Sequence, residues 1–556
     1  MSKVQKAFVS VESANDSSED GIPLHKADDA LLKKLGYKSE FKREFSMLET
    51  ISFSLAILAV SCGITTGYGY PLLAGGHFAM IWGWTIPCLF VLCIAASMAE
   101  LASAMPTSAG LYYFSAKMAS EKHSALASWI TGWSNITGQV TLVCSIDYTC
   151  AEFITTGIAM ITDGEIVLGP GPTFGILLAI FLVQAVLCSA GTRVLARMTV
   201  VIMLIIMGTT IAAIVSLLVC SRGNGVTPKQ AFTEFENHTG WSNDGWAFIL
   251  AFTSPMWSLT GYDSAAHIAE ETAGAARAAP IAIMVGVVGT EVLGLIYYIA
   301  ASFATTSIPD IIDSKLALPM GQVYLNILGK KGTMALWWAL GFLQASIYRF
   351  LMFGQNSGWI FLQFLCGSSQ VVDASRVVFA FSRDNALPGS RWWKQVNRRT
   401  QTPVNAVWFV MFLSAICGLL SFSAAAFDSL ASASVIGLYI SYVYPTLMRI
   451  TYGKDKFVPG PFNLGRWSRP CGAIAVAWTV FMVVMLLFPN TQTANAQTIN
   501  YAFVIIIVVF LFASLSWIFS ARHWFTGPVP NIDGPSRSDS ASYEEKQNNM
   551  EQYSGE

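Results

Sequence analysis

Charge is the scarcest commodity in this chain. Only 12% of its 556 residues are Asp, Glu, Lys or Arg, about half the share in an ordinary soluble domain. No G-x-x-x-x-G-K-[ST] loop is present, so the backbone cradle that holds nucleotide phosphates is missing and ATP-driven work is not indicated. The ten cysteines are scattered with no C-x-x-C pair, and the six histidines are equally dispersed. That spacing supports neither a metal framework nor a disulfide framework, and no cofactor is expected. No nucleophile–base arrangement stands out, so the chain does not read as an enzyme. With a net charge of −1, no nucleic-acid partner is expected.

What the chain has instead is apolar length. Hydrophobic residues make up 54% of it, and its mean hydropathy is +0.52. Twelve runs of roughly membrane-crossing length stand out. They lie near 51–73, 80–101, 126–155, 173–191, 194–220, 246–268, 280–304, 334–365, 404–423, 428–448, 471–488 and 499–521. The reading is an all-α polytopic membrane protein with twelve transmembrane helices over 50–521, between tails at 1–49 and 522–556. The first tail has no apolar core or cleavage site, so no removable signal peptide is expected. The second is rich in Ser, Glu, Gln and Asn and reads as disordered.

Lys and Arg set the orientation. With the N-terminus inside, 27 basic residues fall on inner segments and five, Arg222, Lys229, Lys315, Lys330 and Lys331, on outer loops. Both termini are therefore expected in the cytoplasm. The sequon at Asn237 falls in an outer loop, where glycosylation is possible, whereas the one at Asn15 falls inside.

The first run contains "SCGITTGYGYPLLAGG", with five glycines and a proline. The sixth, "WAFILAFTSPMWSLTGYDSAAHIAEET", is broken by Pro255, Gly261 and Asp263. Two interrupted helices five apart match a 5+5 inverted-repeat transporter core with discontinuous helices one and six. Unwound backbone at membrane depth must be buried in protein or line a wet cavity. If Gly63–Gly67 leave the helix, free N–H groups face an anion, with Thr65 and Thr66 adding hydroxyls. Freed carbonyls near Thr260 and Gly261 suit an ammonium group. The plainer alternative is that these glycines only let helices pack closely.

Several stretches carry a family resemblance. They are "LGYKSEFKREFSMLETISFS", "GITTGYGYPLLAGG", "MAELASAMPTSAGLYYFSAKM", "TGYDSAAHIAEET" and "DASRVVFAFSRDNALPGSRWWKQVNRRTQTPVNAVW". From about residue 35 to 520 the chain resembles the amino acid–polyamine–organocation (APC) superfamily, in its fungal amino acid/choline branch of GABA and choline permeases. The resemblance implies a proton-coupled importer in the plasma membrane, with a vacuolar location as the alternative. It implies a substrate carboxylate at Gly63, Ile64, Thr65, Thr66 and Gly67, and an amine near Thr260, Gly261, Tyr262 and Asp263. Trp257 and Tyr262 are candidate pocket walls. The eighth run departs from the pattern, because "FLQ" occurs twice, at 342–344 and 361–363, around Arg349. Removing 345–363 leaves a helix of ordinary length for the family, so this stretch reads as an insertion or a retained intron. The cost of an unpaired Arg349 in lipid favours the intron.

Acids inside the spans are functional candidates by default. Glu291 is the first choice for proton coupling and Asp147 the second. The bland reading of each is a hydrogen-bonded structural carboxyl. Glu152, on the same run as Asp147, nears its outer end. Some relatives use a fifth-helix lysine for coupling, and the fifth run here has none. Glu100, Glu270 and Glu271 end helices on the cytoplasmic side and are expected to pair with inner-loop cations such as Arg383, as an inner gate or as solvated helix ends. The expected function is import of a small amino acid, GABA-like or another zwitterion, with H+ as the co-substrate. A choline, ethanolamine or polyamine permease is the alternative, and a non-transporting nutrient receptor a more distant one.

Overall fold

The computed structural model describes residues 24–37, 43–190, 192–223, 226–348, 358–423, 425–492, 495 and 499–530. Asn15, Arg349 and the C-terminal tail beyond Pro530 lie outside the described residues, as does the middle of the 345–363 stretch. The chain divides into two units, one of Met1–Glu40 with Val529–Glu556 and one of Phe41–Pro528. Within the first, a helix spans Leu24–Lys34 and closes on Gly36 at φ +95°, in a stretch whose sequence reads as a plain polar tail.

The second unit is helical, apart from one isolated β-bridge between Phe45 and Thr272. Its main elements are α1 (Met47–Leu58), α2 (Val60–Gly67), α3 (Gly69–Ala104), α4 (Gly110–Met118), α5 (Ser124–Ile161), α6 (Pro170–Ser189), α7 (Thr192–Cys220), α8 (Asp244–Leu250), α9 (Thr253–Ser258) and α10 (Ser264–His267). They continue as α11 (Ala275–Ala304), α12 (Pro319–Tyr348), α13 (Gly358–Arg383), α14 (Val404–Cys417), α15 (Ala426–Thr451), α16 (Ser468–Met485) and α17 (Ala502–Phe519). Local chemistry sets several boundaries. Ser46 and Glu49 form a capping box that starts α1, satisfying two of its orphan N–H groups. Within α3 the chain turns at Gly75 and at Gly76, where φ is +57°.

Apolar side chains gain little by leaving lipid for one another, so helix pairs are held by close packing of small residues. The α5–α15 pair shows this directly. A Cβ built on Gly437 would come within 2.7 Å of the Gly138 nitrogen and 3.0 Å of the Ser134 carbonyl. Along α3 and α11, Trp84 rests on Gly294 and its indole N–H donates to the Glu291 carbonyl at 3.0 Å.

Among the described residues, nine helical segments are long and apolar enough to cross a membrane. The three remaining runs fall short for separate reasons. The run at 126–155 lies in the 38-residue α5, which is diluted by polar side chains; Thr131, Ser134, Asn135, Gln139, Thr141, Ser145 and Asp147 are all buried. The run at 246–268 is cut into α8, α9 and α10. The run at 334–365 spans residues outside the described set.

Candidate functional site

Both interrupted runs are broken in the structure, but the first break is not where the glycines suggest. It falls at Ala59, whose φ of 33° and ψ of 61° are left-handed, an uncommon state for a residue with a Cβ. Gly63, Ile64, Thr65, Thr66 and Gly67 stay helical within α2, which corrects the expectation that they unwind. The glycines serve proximity instead. A Cβ on Gly63 would sit 3.1 Å from Ser258 Oγ, and one on Gly67 3.0 Å from Ser254 Oγ. Small residues four apart on α2 thus meet small residues four apart on α9, so the plainer packing alternative holds for this pair. The threonine hydroxyls turn inward: Thr65 donates to the Ser61 carbonyl at 2.7 Å and Thr66 to that of Cys62 at 3.0 Å.

The second break runs from Leu259 to Asp263, with Gly261 at φ +100°. Two tyrosines from α15 satisfy its exposed backbone. Tyr439 donates to the Leu259 carbonyl at 2.9 Å, and the Gly261 N–H donates to the Tyr442 hydroxyl at 3.1 Å. Tyr442 in turn donates to Asp263 Oδ1 at 2.6 Å. Two of the backbone polar groups freed by the break are thus paired with tyrosine hydroxyls, as buried groups require.

Between the breaks lies a cavity of about 20 Å³, lined on one side by Leu58, Ala59 and Gly63 and on the other by Trp257, Ser258 and Thr260. It has room for about one water. Beyond Trp257 a vestibule of about 300 Å³ opens, lined by Thr66, Tyr70, Phe427, Asp428 and Asn490 among others. Trp257 separates the two. Its indole N–H donates to Thr66 Oγ1 at 3.0 Å, and its ring meets Phe427 edge-on at 5.2 Å. Asp428 accepts from the Tyr70 hydroxyl at 2.8 Å.

Asp263 does not line that cavity. It is fully buried, and besides Tyr442 it accepts from His267 Nε2 at 3.1 Å, Gln139 at 3.2 Å and Asn135 at 3.4 Å. Tyr262 is likewise buried, its ring 4.9 Å from that of Tyr442 and its hydroxyl without a hydrogen-bond partner. Of the candidates, Gly63, Trp257 and Thr260 line the cavity and Thr66 lines the vestibule.

The helix-end acids find cations, though not all the same one. Glu270 pairs with Arg383 at 3.3 Å and accepts from the Ser108 N–H and the Thr107 hydroxyl. Glu271 pairs with the buried Arg376 at 2.9 Å. Glu100 pairs with Arg449 at 2.6 Å and accepts from Ser468 at 2.8 Å, a separate cluster joining α3, α15 and α16. Asp147 is buried and accepts from Gln184 at 2.8 Å, while its second oxygen has no hydrogen bond. Glu291 is half-buried on α11, with Oε1 likewise unbonded. The Asn237 amide donates to the Trp241 carbonyl and to Asp244.

Sequence reasoning missed three contributors: Tyr439, Tyr442 and Asp428. The tyrosines carry no local signal, since their role comes from packing across the chain. Asp428 opens an apolar run and is detectable as an acid at a span boundary.

Comparison with known proteins bears on what this geometry serves. A family model described as amino acid permease matches residues 45–511. An uncharacterized amino-acid permease of Schizosaccharomyces pombe is 35% identical, over 93% of this chain and 92% of its own. The amino-acid permease BAT1 of Arabidopsis thaliana is 35% identical, over 92% and 98%. The GABA-specific permease of Saccharomyces cerevisiae is 32% identical, over 91% and 86%.

Proposed function

The chain belongs to the amino acid permease family, and from that premise we propose that it imports a small amino acid, GABA-like or another zwitterion, by proton symport. Its relatives are named permeases, and the protein is an integral membrane transporter rather than an enzyme. The observation that carries the finer reading is the cavity held between the Ala59 and Leu259–Gly261 breaks, with Trp257 standing between it and the vestibule. The first N–H groups of α2, at Val60 and Ser61, have no intrahelical acceptor by construction, and they sit at the positive end suited to a carboxylate. Asp428 in the vestibule suits an arriving ammonium group. The cavity is too small for an amino acid, so binding requires Trp257 to move.

This reading takes twelve spans in a 5+5 repeat, both termini cytoplasmic, and the plasma membrane ahead of the vacuole. Glu270–Arg383, Glu271–Arg376 and the Glu100 cluster form the inner closure, and Asn237 is a glycan acceptor. Glu291 and Asp147 are coupling candidates, each with an unbonded carboxyl oxygen. A second reading, choline or another organic cation, is favoured by Trp257, Phe427 and Tyr70 grouped near Asp428, since such rings and one acid attract a quaternary ammonium.

Uptake of labelled GABA, choline, putrescine and several amino acids in permease-deficient yeast at pH 5 and 7.5 separates these readings. Saturable amino-acid uptake, faster at pH 5, is expected; choline uptake without it replaces the first reading by the second. An unchanged pH response in Glu291→Gln and Asp147→Asn removes those residues from coupling.

A further inference from the structure

One acid that four side chains bond lies away from the cavity. Asp263 collects donors from α5, α10 and α15, and the Gln139 amide bridges it to a second buried acid, Asp373 Oδ2, at 2.9 Å. Gln370 donates to the Gln139 carbonyl oxygen. His267 completes the group. Its Nε2 donates to Asp263, while Nδ1 has no well-formed hydrogen bond and faces the main chain around Ser108 and Gly110. Among the described residues Asp373 Oδ1 has no hydrogen-bond partner either, and both residues are at most 2% exposed. Such unsatisfied buried atoms are rare and call for a reason.

We propose that Asp263, His267 and Asp373 form the proton-carrying cluster of this transporter, holding one proton at His267 Nδ1 or Asp373 Oδ1 and passing its charge state to the α9–α10 break. The inference rests on the proton-symport reading above. The coupling is physical, because Asp263 Oδ1 holds Tyr442, and Tyr442 holds the Gly261 N–H. A proton added to His267 puts a positive charge on the donor of a bond whose acceptor is already ionised, turning it into an ion pair, and this favours the break as it stands here. Loss of the proton loosens the same chain of bonds. Substrate binding at the break and proton binding at the cluster then promote each other reciprocally.

The surrounding charges allow for one added proton. His267 lies against Asp263, which the Gln139 amide joins to Asp373. Asp263 and Arg376 also act on Asp373, but Arg376 is already engaged by Glu271. Of the elements packed on α10, α13 carries Asp373, Arg376 and Arg383, and the Ala269–Glu271 turn carries Glu270 and Glu271. α4 carries Tyr112, Tyr113 and Lys117; α1 carries only Glu49, and α11 only Arg277, Glu291 and two tyrosines. From α5 come the neutral Asn135 and Gln139, and from α15 Tyr439 and Tyr442. With the two ion pairs of Glu270 and Glu271 cancelling, a neutral His267 leaves Asp263 and Asp373 as two uncompensated charges, and one proton halves that.

The test uses full-length protein in proteoliposomes with labelled GABA, reading both accumulation driven by an inward proton gradient and gradient-free counterflow. Wild-type protein that shows counterflow but no gradient-driven accumulation sinks the symport reading itself. Where wild type accumulates, His267→Gln and Asp373→Asn are expected to lose accumulation at least tenfold while counterflow persists within about threefold. If one variant does not fold, as judged by absent counterflow, the other decides. Accumulation within twofold of wild type in either folded variant overturns the inference. Loss of counterflow in both also overturns it, because the cluster then serves packing.

Discussion

Gly261→Ala tests the core of the site at a position where two separate costs can be worked out. At φ +100° an added Cβ costs about 1–2 kcal/mol in backbone strain. That Cβ would also lie 2.6 Å from Ile57 Cγ2, well inside ordinary contact, and overpacking of this kind costs about 1–3 kcal/mol. The sum is about 2–5 kcal/mol. Two other glycines separate the terms. Gly164 has φ +80° but open space, and Gly175 lies in α6 with nothing nearby. Gly164→Ala should therefore show only the strain, and Gly175→Ala should be neutral or stabilise by up to ~1 kcal/mol. Melting of the detergent-solubilised protein, followed by the monodisperse fraction at one heating rate, should rank Gly261→Ala lowest by a clear margin. The clash term has its own check. Ile57→Ala removes the offending methyl, so the double variant should be more stable than the two single losses added together, by about 1–3 kcal/mol. A Gly261→Ala protein that melts with Gly164→Ala, or a double variant with strictly additive losses, would refute the claim that the break fits tightly against α1.

Tyr442→Phe should destabilise more than Tyr439→Phe under the same ramp. The first strips partners from both the Gly261 N–H and Asp263 Oδ1, the second from one carbonyl, at about 1–3 kcal/mol per orphaned group; equal melting points would count against the bonding described. Arg376→Met leaves Glu271 buried and unpaired and should cost about 3–5 kcal/mol, whereas adding Glu271→Leu should restore most of it. A double variant as unstable as the single would show that the pair is not what Glu271 depends on.

Much of this protein is written locally. Low charge and repeated apolar runs are properties of composition and length, so the membrane class and the helical fold follow without any tertiary information. So does the existence of two interrupted helices, because Pro255 and Gly261 break a helix wherever it packs. The position of the first break does not follow in the same way. Ala59 has no sequence mark of a break, and it adopts a left-handed turn because the packed structure around it holds it there. Gly63 and Gly67 look like breakers, yet they remain helical, and their missing side chains let Ser254 and Ser258 of α9 lie close against them.

The same division governs the buried acids. Sequence alone marks Asp263 and Glu291 as carboxyls at membrane depth, and His267, four residues on, is within local reach of Asp263. Only the folded arrangement joins Asp263 to Gln139 and Tyr442, up to 179 positions away, and through Gln139 to Asp373. Helix identity depends on interactions within a few turns, and those are readable along the chain. Hydrogen-bond partners inside the bundle depend on which helix faces which, and that is decided only when the helices pack.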